Sequence, residues 1–281
     1  MKLAIIPIIV GAFKFCWLHR HQFYYLALPV VTILAIFSTL LTTLSPDNSL
    51  QALEFKFLGE HTFNLNETII YSYNSYPGYF FADLSLFFLI VFFFPLYSVA
   101  WHRFYLVPEE NLNVLACYNW KKRHSLFLWS NLKIFLLMVP IGGISILITI
   151  ASVIFAPLVG VAMIFFVVMC YARFSMWLPA TALDKQMNFH EAFVLTHGNG
   201  ARLALILILT GILAGILDGI ATSLITHASN SLSAVGSLTQ TLLKNFALYL
   251  IMYAGMAIGI TTLSISYQQL AEFYNPNEIS R

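Results

Sequence analysis

Residues 134–172, IFLLMVPIGGISILITIASVIFAPLVGVAMIFFVVMCYA, contain no Asp, Glu, Lys or Arg in 39 consecutive positions. An α-helix crosses the hydrocarbon core of a bilayer, about 30 Å thick, with roughly 20 apolar residues. The stretch is therefore too long for one span, and its length fits two spans joined by a tight turn. Pro157 lies where the second helix should begin, because proline is favoured in the first turn of a helix.

The rest of the 281-residue chain repeats this pattern of long uncharged segments. Hydrophobic residues make up 59% and charged residues 9%, whereas charged residues make up about 25% of an ordinary soluble domain. This composition excludes a soluble enzyme, a disordered regulator and a nucleic-acid-binding domain, which needs a basic surface. We predict an all-α integral membrane protein, a single polytopic domain over residues 1–281. The six predicted transmembrane helices cover residues 24–44, 80–101, 132–152, 156–173, 203–225 and 245–267.

The six spans group into three hairpins, and a shorter apolar segment precedes them. Leu3 to Phe13 is apolar but short for a span, and it is followed by Lys14, Trp17 and further basic residues. Tryptophan and cations favour the headgroup level of a membrane. We therefore predict an N-terminal helix lying in the interface, with a seventh span as the alternative. No small-residue cleavage site follows, so a signal peptide is not predicted.

The distribution of positive charge predicts the orientation. With the N-terminus inside, the inner segments hold 12 of the 14 Lys and Arg residues, and the outer segments hold only Lys56 and Lys244. By the positive-inside rule we expect both termini in the cytoplasm. The membrane is then expected to be the plasma (inner) membrane. The three cysteines then lie on or near the inner side, where thiols stay reduced.

The long outer loop, residues 45–79, has a pattern of its own. Leu53 to Phe57 and Phe63 to Asn66 alternate in polarity around Gly59, which predicts a small β-hairpin. Several tyrosines follow. Residues 53–79 are either a surface that binds a membrane protein partner or a cap on the lipid interface, where tyrosine is favoured.

The inner loop between spans two and three ends in a basic cluster. Lys121, Lys122 and Arg123 follow Trp120. Such a cluster attracts anionic lipid headgroups, by about 1 kcal/mol for each cation. The cluster is therefore either an anionic-lipid contact or a signal for orientation alone.

The inner loop between spans four and five predicts a short helix. Asn188 followed by Glu191 resembles a capping box, which begins a helix from Phe189 to Thr196. Gly198 then suits a C-terminal cap, and Asn199 can cap span five. We interpret the segment as an elbow helix along the inner membrane surface. Its two histidines are seven residues apart, whereas a zincin helix has them four apart, so no metal site is predicted.

One ionisable residue, Asp218, falls well inside a predicted span. A carboxylate within a membrane is costly and is a functional candidate. Lys244 begins span six at a similar level and is the expected partner of a structural charge pair. The alternatives are a capped and hydrated Asp218 carboxylate, or a proton or ion relay through Asp218. Small residues recur at every fourth position of spans five and six, which predicts that these spans pack closely on each other. They are Gly211, Gly215, Gly219, Gly255 and Gly259.

Two spans end in a similar way. Span two ends Trp101-His102-Arg103-Phe104, and span four ends Tyr171-Ala172-Arg173-Phe174; a proline follows each. An internal repeat would explain the likeness. An aromatic residue and a cation before a helix breaker are also typical of any inner helix end.

The segment from Cys170 to Leu209 resembles a known group. Its Tyr171-Ala172-Arg173-Phe174-Ser175, Leu178-Pro179-Ala180, Ala192-Phe193 and Gly198-Asn199-Gly200-Ala201-Arg202 motifs resemble uncharacterised bacterial inner-membrane proteins. These are similar to the membrane domain of some glycerophosphodiester phosphodiesterases. The resemblance implies a bacterial plasma-membrane protein with a helical-hairpin fold. It implies that Arg173, Pro179, Asn199 and Arg202 define the shape of the elbow. It carries over no phosphodiesterase activity.

The motifs of the common catalytic sites are missing from the sequence. It has no Gly-rich phosphate loop, nucleophile elbow or HExxH motif, and no paired carboxylates in a plausible cleft. We therefore expect no catalytic residues, cofactor or metal, and no nucleic-acid partner. The expected function is that of a non-enzymatic scaffold, accessory or envelope-maintenance protein. The alternative is a small transporter or lipid-handling protein, with membrane lipids as partners in either case.

Overall fold

The computed structural model describes residues 2–44, 77–109, 117–151, 155–185, 187–231 and 237–273. Within these residues the chain is helical and has no strand, which confirms the all-α prediction. The predicted β-hairpin, residues 53–66, lies outside them. The helices are α1 (Ile5–Leu18), α2 (Arg20–Leu44), α3 (Pro77–Leu106), α4 (Lys122–Ala151), α5 (Ala156–Ser175), α6 (Trp177–Ala182), α7 (Phe189–Leu195), α8 (Gly200–Ser231) and α9 (Ser237–Phe273).

Among the described residues, six helical segments are long and apolar enough to cross a membrane, which is the predicted number. They are Arg20–Thr43, Leu84–Leu106, Lys122–Ala151, Pro157–Ala182, Gly200–Ser229 and Leu238–Glu272. Most extend further than the predicted spans. The third begins at Lys122 rather than at residue 132, because the helical backbone continues through Lys133 to the cations at positions 122 and 123. Long cationic side chains allow this, since their charged ends reach the headgroups.

Broad apolar faces are exposed along α4 and α5. Phe135 and Leu147 on α4 and Leu158 and Val161 on α5 are each more than half exposed. A monomeric soluble protein seldom exposes so large an apolar surface. The faces fit helices that contact lipid.

The chain divides into two compact units, each assembled from distant segments. The first unit comprises residues 1–24, 95–217 and 254–281, and the second comprises residues 25–94 and 218–253. In the first unit α4 packs against α5 and α6, and α5 contacts α7. Its buried apolar core includes Ile8, Ala12, Ala172, Met176, Leu203 and Leu270.

The second unit contains a polar contact between α2 and α9. The buried Asn245 amide donates to the hydroxyl oxygens of Ser38 and Thr39, at 3.4 and 3.1 Å. Polar side chains that bond across helices are a recurrent means of holding membrane helices together.

Candidate functional site

Two arginines from different helices converge on one carboxylate, and we call these three residues the arginine clamp. Arg103 lies in the last turn of α3, and Arg123 lies in the first turn of α4. Their Nη1 and Nη2 atoms are 3.3 and 3.1 Å from the same oxygen, Oδ2 of Asp184. Arg103 also donates to the carbonyl oxygen of Ala182 at 2.9 Å. The clamp therefore joins the ends of α3, α4 and α6.

The backbone after α6 brings Asp184 to this position. Asp184 has a φ of 60°, in the left-handed region. Its N–H donates to the Thr181 carbonyl, and the Lys185 N–H donates to the Ala180 carbonyl. This is the hydrogen-bond pattern of a Schellman motif, in which glycine is usual and aspartate is tolerated. An aspartate at this position adds a carboxylate to the helix end.

Three lysines adjoin the clamp in sequence and are exposed. Lys121 and Lys122 precede Arg123, and Lys185 follows Asp184. Two side chains bond within the turn before α4: the Lys121 N–H donates to His124 Nδ1 at 2.8 Å, and the Trp120 indole donates to the Ser125 hydroxyl at 2.8 Å. The His124 N–H also donates to the Lys121 carbonyl at 2.9 Å. The clamp and its flanking lysines thus combine five cations with one carboxylate. They include the predicted lipid contact, Lys121 to Arg123.

A second polar contact holds the N-terminal segment, and we call it the Leu3 clamp. The buried Asn199 Oδ1 accepts the Leu3 N–H at 2.9 Å, and Arg202 Nη1 donates to the Leu3 carbonyl at 2.7 Å. Both backbone groups of Leu3 are thereby paired, at the point where α1 is about to begin. Asn199 also stands immediately before α8, as predicted, and its side chain reaches beyond its own helix.

Arg173 lies beside the Leu3 clamp in a space that a glycine leaves open. Its guanidinium carbon is 4.0 Å from the centroid of the Phe193 ring, a cation–π contact. A Cβ atom added to Gly200 would collide with Arg173 Nε. A larger residue at position 200 would therefore have to displace the Arg173 side chain. Arg173, Phe193 and Gly200 link α5, α7 and α8.

The four residues predicted to shape the elbow are thus distributed over two places. Arg173, Asn199 and Arg202 lie around the start of α8, whereas Pro179 is buried within α6, where its carbonyl accepts the Leu183 N–H. Next to them, α7 begins with the predicted capping box. The Glu191 N–H donates to Asn188 Oδ1 at 2.8 Å, and the Asn188 N–H donates to the Glu191 carboxylate at 3.0 Å.

A buried polar network between α3 and α9 was missed by sequence reasoning. Trp101 donates to the Thr261 hydroxyl at 2.8 Å, and His102 Nδ1 lies 2.8 Å from the Ser264 hydroxyl. All four side chains are at most 1% exposed. The available signal was the run Thr261-Thr262-Leu263-Ser264-Ile265-Ser266, which places four hydroxyls in one predicted span.

The Ser264 hydroxyl lies between two groups that can accept its proton. The Ile260 carbonyl oxygen is 2.9 Å away, and His102 Nδ1 is 2.8 Å away. The tautomer of the imidazole sets the direction of the contact with His102. In either tautomer the contact joins α3 to α9.

The residues singled out in spans five and six have different surroundings. The Asp218 side chain is exposed on α8, and Lys244 is half-buried on α9; their pairing stays a prediction.

The close packing predicted for the glycines is wrong for the residues that the structure describes. A Cβ atom added at any of the five would meet no atom within 4 Å. A glycine at every fourth position permits close packing but does not require it.

His190 and His197, near the ends of α7, are both exposed. Across the described residues no group of three or more His, Cys, Asp or Glu side chains could hold a metal ion.

Comparisons of the chain with protein-family models, with curated proteins and with solved structures find no match.

Proposed function

We propose that this chain is a non-enzymatic multi-pass protein of a bacterial inner membrane that acts as a scaffold, accessory subunit or envelope-maintenance factor. Its six apolar helices and the predominance of Lys and Arg on one side support this topology, with both termini in the cytoplasm. In this proposal the spans form three hairpins, α1 lies in the membrane interface, and α7 is the elbow helix on the inner surface. The resemblance of residues 170–209 to bacterial inner-membrane proteins supports the same assignment.

The observation that carries the non-enzymatic assignment is the use made of the polar side chains. His102 and Ser264 are hydrogen-bonded to each other between α3 and α9, and Asn199 and Arg202 bind the backbone of Leu3. In each case a side chain that could take part in chemistry instead fastens one segment of the chain to another. Satisfied polar networks of this kind make a structure rigid and specific, which suits a protein that presents fixed surfaces to a partner.

The test is gentle extraction of a tagged copy from its native membrane, with mass spectrometry of the proteins and lipids retained. We expect one protein partner in stoichiometric amount. A variant with residues 53–66 replaced by a Gly/Ser linker should lose that partner if the outer loop binds it. Retention of a single enriched lipid without any protein would overturn the proposal.

The second candidate is a small lipid-handling or transport protein. The exposed Asp218 on α8 favours it, because an ionisable side chain within a span marks a candidate pathway. Under this alternative, Asp218→Asn should abolish lipid movement in a flipping assay with reconstituted vesicles. Full activity of that variant would count against it.

A further inference from the structure

We propose that the arginine clamp, with Lys121, Lys122 and Lys185, binds the phosphate of an anionic phospholipid. The proposal goes beyond the scaffold function, because it assigns a ligand and a site. It depends on the membrane topology but not on the presence of a protein partner.

The geometry of the clamp defines a position for one anionic oxygen. Arg103 Nη1 and Arg123 Nη2 approach the same atom, Asp184 Oδ2, at 3.3 and 3.1 Å. Arginine binds carboxylates and phosphates by the same charge-assisted hydrogen bonds. Two guanidinium groups that already converge on one oxygen would hold a phosphate oxygen at that place.

The differences in exposure make Asp184 a replaceable occupant. The side chains of Arg103 and Arg123 are only 16% and 21% exposed, whereas that of Asp184 is 51% exposed. Both guanidinium groups are largely buried, and Arg103 is also held by its bond to the Ala182 carbonyl, whereas half of the Asp184 side chain is exposed. A phosphate can approach from the side on which Asp184 lies.

The charge balance also favours an additional anion. Asp184 Oδ2 pairs with both Arg103 and Arg123, and the three flanking lysines are exposed. Clustered cations of this kind attract anionic headgroups at a membrane surface. The surplus positive charge is thus concentrated around the oxygen position that the clamp defines.

The location at the helix ends selects a lipid as the source of the phosphate. Arg103 ends one candidate span, Arg123 begins the next, and Asp184 follows the span Pro157–Ala182. Ends of membrane-spanning helices lie at headgroup level. Trp120, adjacent to Lys121, is a residue type enriched at that level.

The experiment is native mass spectrometry of the full chain in detergent with equal amounts of phosphatidylglycerol and phosphatidylcholine. We expect preferential retention of phosphatidylglycerol. The variant Lys121→Gln/Lys122→Gln should lower that preference about fivefold or more, as expected for the loss of headgroup-facing cations. The matched control Lys2→Gln/Lys14→Gln, which removes two exposed lysines near α1, should leave it unchanged. Equal losses in the two double variants would overturn the proposal.

Asp184→Asn provides a result in the opposite direction. Asparagine tolerates the left-handed backbone and removes the competing charge, so phosphatidylglycerol retention should rise above that of the wild type. A fall in retention by an Asp184→Asn protein whose thermal unfolding is unchanged would contradict the proposal. A third measurement distinguishes a lipid from free phosphate. Millimolar inorganic phosphate is added to the protein in nanodiscs of pure phosphatidylcholine, and the thermal stabilisation is compared with that given by phosphatidylglycerol. Equal stabilisation would assign the site to free phosphate. Lipid retention is read independently of protein partners, so it can fail while the scaffold proposal stands.

Discussion

Two stretches of the same helix, α8, contain glycine but have opposite surroundings. At its start, Gly200 lies against Arg173, and the neighbouring Asn199 and Arg202 hold Leu3. Further along, Gly211 and Gly215 are exposed, and a Cβ atom added at either would meet nothing within 4 Å. At the first place the Arg173 side chain occupies the space into which a larger residue would extend. At the second place no described residue occupies that space.

The largest effect is expected at Cys16. This residue lies near the C-terminal end of α1, the helix that follows Leu3, so it reports on how firmly the start of α8 holds α1. Its Sγ lies 3.5 Å from the Thr261 hydroxyl, and burial raises the pKa of the Cys16 thiol from 9.0 to about 11, although that hydrogen bond opposes the shift. In a Cys117→Ser/Cys170→Ser background, alkylation at neutral pH should be about a hundredfold slower than in the denatured chain, because tenfold less thiolate forms per pKa unit.

The pH dependence of the alkylation rate tests the direction of the Cys16 pKa shift. The alkylation rate should be half-maximal near pH 11 in the folded protein and near pH 9 in the denatured chain. A folded-state rate that is half-maximal near pH 9 would show that α1 does not bury this thiol.

The next effect is expected from Arg202→Gln, which removes the charge-assisted bond to the Leu3 carbonyl. Loss of a hydrogen bond from a charged group to a buried acceptor costs about 1.5–3 kcal/mol. We expect a lower thermal unfolding temperature in detergent and faster alkylation of Cys16, because α1 is held less firmly. Arg20→Gln is the matched control, since Arg20 is exposed and contacts Trp17 within its own part of the chain. Equal effects of the two variants would show that positive charge, rather than the Leu3 clamp, is responsible.

A smaller loss is expected from Gly200→Ala. The new methyl group must displace the Arg173 guanidinium from its contact with Phe193, and overpacking of this kind typically costs about 1–3 kcal/mol. The double variant Gly200→Ala/Arg173→Ala should recover part of the loss, because the colliding side chain is gone. Absence of any recovery would mean that Gly200 is required for another reason.

The parts of this fold that were predictable are those set by neighbours in sequence. Six apolar runs predicted six long helices, and the spacing of Asn188 and Glu191 predicted the cap of α7. The convergence of Arg103 and Arg123 on Asp184 was not predictable, because it joins three helix ends that are far apart in the chain. A cation at a helix end looks the same in sequence whether it faces a headgroup or a carboxylate.

The glycine pattern failed for a related reason. A small residue every four positions shows only that a helix face is flat, whereas packing requires a second surface. Gly200 does lie against a second surface, the Arg173 side chain, but it belongs to no four-residue glycine repeat. Its role was therefore visible only once Arg173 had been located beside it.

The smallest expected effect, Gly211→Ala, tests the open half of the comparison. Alanine in a helix interior is more favourable than glycine by about 0.5–1 kcal/mol, and no atom of the described residues lies within 4 Å of the added methyl group. The variant should therefore unfold at a slightly higher temperature than the wild type in detergent, and Gly215→Ala should behave in the same way. In native membranes the same variants would become destabilising only if another helix approached these glycines. A loss of stability confined to the membrane would therefore identify the exposed face of α8 as an interface, and the contrast with Gly200 would become one between contacts within the chain and contacts between chains.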